Sequence, residues 1–141
     1  MDSRSPYRAP GAKLADPAPR PGSPYKAVAL GLLTDFGGTL ALSLIVAPVS
    51  PESWPFYAIS IGGGAFSVLG GYVCARIAGQ SEYTLGAILA AINVVLGLAL
   101  GGDDADVGMQ IVLNVATVAC VILGARLGKA RNRLASRVES R

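Results

Sequence analysis

The chain has 141 residues, of which 52% are hydrophobic and 15% charged, with a formal net charge of +3. Its apolar residues fall in four long blocks almost free of charge, a pattern that excludes a water-soluble domain and makes each block a membrane-span candidate. The Lys and Arg residues lie outside those blocks or at their ends, so the basic balance reports threading through a bilayer and not nucleic-acid binding.

Residues 1–25 hold most of the nine prolines, interleaved with Ser, Arg and Ala and without an apolar period. That composition predicts a disordered or polyproline II tail. The first block, residues 27–48, is too long for the apolar core of a signal peptide and carries an aspartate, so it reads as a retained span. Asp35 sits within it and is followed by Phe36, Gly37, Gly38 and Thr39. Two adjacent glycines weaken a helix; they either admit a neighbouring helix or leave the span discontinuous beside a carboxylate, as in ion-coupled transporters.

The second block, residues 55–76, opens with Trp54, Phe56 and Tyr57 at one interface and closes on Arg76. Gly63, Ser67 and Gly71 form a small-residue edge along it. The third block, residues 84–101, carries Asn93, Gly97 and Gly101 at the same four-residue spacing, and the fourth, residues 107–126, carries Ala116, Cys120, Gly124 and Gly128. Such edges let helix backbones approach closely in lipid. Residues 129–141 continue basic, with Leu134 and Val138 four apart, and are expected to lie against anionic headgroups as a cytoplasmic extension of the fourth helix.

Each block must be helical, because in lipid every backbone N–H and C=O needs a partner within the segment. At ~1.5 Å per residue, each spans most or all of a core of about 30 Å. The block ends alternate in charge. All 12 Lys and Arg residues fall at one end, whereas the connections at the other end hold Glu52 and the cluster Asp103, Asp104 and Asp106. The expectation is an all-α, integral membrane four-helix bundle in the inner (plasma) membrane with both termini cytoplasmic.

Counting depth from the basic end of each helix brings out a polar layer. Asp35, Ser67, Asn93 and Thr117 each lie nine residues in, ~13.5 Å by helical rise, and Asn114 lies one turn further along the face of Thr117. A buried charge costs roughly 2.5–3.5 kcal/mol at a span centre on insertion scales, and a layer of hydroxyls and amides around Asp35 lowers that cost. The glycines expected to close the bundle around the layer are Gly37, Gly38, Gly63, Gly71, Gly97 and Gly124.

Other chemistry finds little support. No nucleophile is paired with a base and no two carboxylates share a span, which argues against an enzyme. With no histidine and two separated cysteines, Cys74 and Cys120, neither a metal site nor a disulfide is expected, and no cofactor is. The three loop aspartates read as a solvated topology signal. The tetrapeptide starting at Ala75 has a counterpart starting at Ala125, which suggests either two parallel hairpin repeats or the common habit of helix ends.

Asp35-Phe36-Gly37-Gly38-Thr39 and the stretch from Gly70 to Gly79 resemble the D-x-G-G-T and GGYVAARIAG-like segments of small four-span inner-membrane proteins of bacteria. The resemblance implies a bacterial membrane location and assigns no functional residue. Two functions fit. The preferred one is a structural or accessory protein whose Asp35 layer fixes helix packing or receives a partner helix, in a homo-oligomer or with another membrane protein. The alternative is a small oligomeric proton- or ion-coupled transporter or channel that uses Asp35.

Overall fold

A computed structural model of the chain describes residues 22–46, 54–79, 81–100 and 107–139, the side chains of 54–57, 100 and 136–139 excepted. The N-terminal tail up to residue 21, the side chains of the interface aromatics Trp54, Phe56 and Tyr57, the acidic residues Glu52, Asp103, Asp104 and Asp106, and Gly101 lie outside what is described. Among the described residues the structure is all-α: α1 (Pro24–Leu32), a π-helical turn (Leu33–Gly37), α2 (Gly38–Val46), α3 (Trp54–Ala78), α4 (Glu82–Leu100) and α5 (Val107–Glu139). Four stretches are long and apolar enough to cross a bilayer: Pro24–Val46, Ala58–Ala78, Glu82–Ala99 and Val107–Ala135. The protein is a multi-pass, four-helix membrane bundle.

The helices run past the expected blocks at several ends, α4 for one starting at Glu82. The first helix starts at Pro24, whose missing N–H costs nothing in a first turn, with Ala27 N–H closing on Ser23 O at 3.0 Å. The second stops at Ala78 because Gly79 adopts φ +71°, the left-handed conformation that ends helices. The fourth joins its span and the basic extension in one helix. It runs unbroken for 33 residues to Glu139, ~50 Å by helical rise, so about 20 Å of it stands clear of a 30 Å core.

That protruding part packs on the bundle. Asn132 Nδ2 donates to Ala75 O at 3.1 Å, and Arg76 donates to Asn132 Oδ1 at 3.0 Å. Asn132 thus supplies a further donor to the last turn of α3. Lys129, expected at lipid headgroups, lies 4.0 Å from the Glu82 carboxylate and 4.2 Å above the Tyr83 ring. Glu82 is buried, so its charge needs this neighbour, and the sequence spacing of Lys129 with the other basic residues could not show it.

The glycine pair in the first span does not break it. The helix widens by one π turn over Leu33–Gly37 and continues. Carbonyls around this turn receive extra donors: Thr34 Oγ1 bonds Leu30 O at 2.8 Å, Thr39 Oγ1 bonds Asp35 O at 2.8 Å and Ser43 Oγ bonds Thr39 O at 2.9 Å. Hydroxyls returning to the carbonyl four residues back keep the backbone satisfied where regular helical bonding is perturbed.

Burial is lopsided along the bundle axis. Ala27, Cys74, Ala78, Leu85, Leu89 and Val121 form the sealed core, and every one lies between the Asp35 level and the basic helix ends. In that half α1 packs against both α3 and α4. Beyond the π turn, α2 packs on α3 and buries none of its own residues. The helices therefore close around small side chains at the basic end and diverge toward the acidic end. Asp35 sits at the boundary.

Candidate functional site

Asp35 is only 5% exposed. The π turn sets its direction, since a locally wider helix turns the residues within it relative to those on either side. Ser67 Oγ donates to Asp35 Oδ1 at 2.8 Å, and Asn93 Nδ2 donates to Asp35 Oδ2. Each carboxylate oxygen thus accepts one hydrogen bond from a different helix. A carboxylate has about four lone-pair sites, so two remain for another donor. Among the described residues no buried side-chain N or O lacks a partner.

Two glycines let the backbone come this close. A Cβ on Gly70 would lie 2.7 Å from Gly31 O and 2.8 Å from Asp35 Cβ, and one on Gly31 would lie 2.9 Å from Cys74 Cβ. The first and second spans therefore cross backbone to backbone directly beneath the carboxylate. Neither glycine was singled out in the sequence, because neither falls on the Gly63, Ser67, Gly71 edge. The crossing runs along Gly63, Ser67 and Gly70 instead, and Gly71 turns toward α5, where a Cβ would strike Val121 O.

On the acidic-end side of Asp35 lies a cavity of about 550 Å³ to which all four spans contribute. Asp35 and Thr39 come from the first span, Ser60 and Ser67 from the second, Asn93 from the third, and α5 lines it with a stripe of Gln110, Asn114 and Thr117. Residues 110, 114 and 117 recur at four and three positions, one helical face, and the same face continues to fully buried Val121. The wall from Thr117 to Met109 is eight residues, ~12 Å by helical rise. The other walls are apolar, formed by Phe36, Ile59, Leu96, Met109 and Leu113. On the other side of Asp35 lie the Gly31–Gly70 crossing and the fully buried Leu89 and Val121.

The polar layer predicted by depth is thus joined only in part. Ser67 and Asn93 touch Asp35; Thr117 and Asn114 face the cavity, and neither bonds Asp35. Depth fixes height along the axis but not direction around it, and the first span packs on α3 and α4 with α5 across the gap. Asn114 instead sits over Gly97, where a Cβ would lie 2.8 Å from its Oδ1, and Gln110 Nε2 donates to Gly97 O at 3.2 Å. Gln110 was missed in the sequence, although its spacing to Asn114 and Thr117 was a usable signal.

The other expected packing glycines divide. Gly38 lies against the Phe66 ring, Gly63 against Thr39 and Gly124 against the Val68 carbonyl, all between helices, whereas the only side chain near Gly37 is Leu33 of its own span. Gly37 is therefore not an interhelical contact; the π turn directs it away from the neighbouring helices.

Chemically, the site is one carboxylate with spare acceptor capacity, bonded by a hydroxyl and an amide, at the end of a largely apolar cavity. Among the described residues there is no group of three His, Cys, Asp or Glu side chains able to hold a metal ion, and Cys74 and Cys120 are free thiols. No family model matches the chain, and no curated protein and no solved structure is similar to it.

Proposed function

We propose that the protein is a small cation-coupled transport protein of the bacterial inner membrane in which Asp35 binds the cation, non-enzymatic and working as an oligomer because four spans enclose little room. The observation that carries this reading is the cavity. A carboxylate that only fixed helix register would be satisfied by Ser67 and Asn93 and would sit in a filled layer, since an ionisable residue inside a span is expensive to keep. Here one side of Asp35 is sealed and the other borders a largely apolar cavity of about 550 Å³ that carries a polar stripe on α5. That is the geometry of a binding site reached from one face.

The resemblance of Asp35 to Thr39 and of Gly70 to Gly79 to four-span proteins of bacteria supports the location. The placing of all 12 Lys and Arg residues at one end supports an orientation with both termini cytoplasmic. The cavity then faces outward, and the segment that leads into Val107 carries Asp103, Asp104 and Asp106, a negative charge that concentrates cations at that face. A membrane-impermeant thiol reagent applied to intact cells should label Asp103→Cys but reach Val138→Cys only after permeabilisation. The opposite pattern would reverse the orientation.

Transport itself is tested in proteoliposomes. With an imposed pH gradient or cation gradient, the wild-type protein should dissipate it faster than protein-free liposomes of the same lipid. Equal rates for protons, Na⁺, K⁺ and small ammonium ions, with gradients of either direction, would sink the transport reading and return Asp35 to a register-fixing role.

A further inference from the structure

We propose that the ligand of this cavity is a monovalent organic cation: a primary or secondary ammonium group on an apolar body of drug-like size. The inference rests on the transport reading of Asp35 and adds the class of substrate. It comes from three properties of the cavity walls taken together.

Size comes first. A water molecule claims about 30 Å³ of liquid, so a proton or a bare alkali ion at Asp35 leaves nearly all of the 550 Å³ unoccupied. Cavities of roughly 300–1,000 Å³ suit drug-sized molecules. Charge comes second. Among the described residues Asp35 is the one acidic side chain on the cavity wall and none is Lys or Arg, so this lining matches a single positive charge and offers a divalent ion no second carboxylate. Lining comes third. Phe36, Ile59, Leu96, Met109 and Leu113 present apolar surface, which a hydrated inorganic ion does not use but a hydrocarbon body does.

The head group follows from the hydrogen bonds. Ser67 and Asn93 each take one acceptor site on Asp35, and the sites left suit an N–H donor with a positive charge, the strong form of the bond. A quaternary ammonium has no such donor. The Phe36 ring, on the residue after Asp35 and also on the wall, gives a cation a second favourable neighbour. Asn114, Thr117 and Gln110 opposite can receive a polar substituent on the body.

The test uses the full chain in lipid nanodiscs and equilibrium dialysis with labelled 2-phenylethylammonium, with 2-phenylethanol as its uncharged counterpart and methylammonium as the head group alone. Protein-free nanodiscs supply the baseline. The expected result is saturable binding of 2-phenylethylammonium, at least about tenfold tighter than either comparison compound, as one charge-assisted hydrogen bond and one buried ring each predict. Asp35→Asn should bring 2-phenylethylammonium down to the level of the alcohol.

Equal binding of ammonium and alcohol, or no binding above baseline, overturns the proposal using the wild type alone, so it does not depend on how any variant folds. Displacement by methylammonium as effective as by 2-phenylethylammonium also overturns it, because the apolar body then contributes nothing. Proton or alkali-cation flux in proteoliposomes is read separately. Flux without ammonium binding removes the substrate class and leaves the transport reading; absence of both removes the two together.

Discussion

Asp35→Asn is expected to be more stable than the wild-type protein by about 1.5–2.5 kcal/mol, and to bind an organic ammonium ion no better than its uncharged counterpart. The sign follows from comparing two terms. An ionised aspartate near the centre of a span costs roughly 2.5–3.5 kcal/mol on insertion scales, and asparagine carries no such charge. Against that stands the weakening of two hydrogen bonds from charge-assisted to neutral, about 1 kcal/mol. Neither bond has to be lost. The Ser67 hydroxyl, which donates to Oδ1, can rotate to accept from the new amide, while Asn93 continues to donate to its oxygen.

Thermal unfolding of both proteins in one detergent, paired with ligand binding on the same samples, reads the two effects independently. A variant that unfolds or loses its oligomer would show that the carboxylate holds the bundle together. A variant that is stable and still binds cations would take Asp35 out of the site. Retained stability with lost binding is the one combination that marks a charge kept for function at a cost to the fold.

The four spans were legible because the bilayer enforces them: a helix of about 20 apolar residues is the only cheap way to cross. The meeting of Asp35 with Ser67 and Asn93 was also within reach, because residues at equal depth in adjacent helices share a layer. What depth could not supply was direction. Thr117 has the right height but faces the cavity without meeting Asp35, because the first span packs on α3 and α4 with α5 across the gap, and Gly71 packs against α5 at Val121, so that Gly70 and not Gly71 lies beneath Asp35.

The cavity was hidden for a related reason. It exists because α2 leans on α3 while α5 stands across from it, a property of helix angles and not of any one segment's composition. Only the run of Gln110, Asn114 and Thr117 on a single face hinted that part of α5 meets neither lipid nor a packed core. The extension of the fourth helix was legible, but what it packs against was not. Its basic residues point to lipid headgroups, whereas Asn132 bonds Ala75 and Arg76 of the bundle.

Gly124→Val should be the most damaging single change in the spans, costing at least about 3 kcal/mol and separating α3 from α5. A Cβ at Gly124 would land on the Val68 carbonyl, with Tyr72 N 2.8 Å away. Both are backbone atoms, so no rotamer can yield and the helices must move apart, at the upper end of what overpacking costs. The movement has no compensation from water, because in lipid the helices associate through this contact surface itself. Gly71 opposes Val121 O in the same way on the facing helix, so the crossing has no slack on either side. Gly37→Ala is the matched control. Its Cβ meets only Leu33 Cδ1 at 3.5 Å, an ordinary contact, and alanine is about 1 kcal/mol better than glycine inside a helix. It should therefore raise the unfolding temperature slightly while Gly124→Val abolishes the folded peak on size exclusion in the same detergent. If both variants elute and melt like the wild type, α3 and α5 do not cross at Gly71 and Gly124, and the sealed half of the bundle beneath Asp35 is not packed as described.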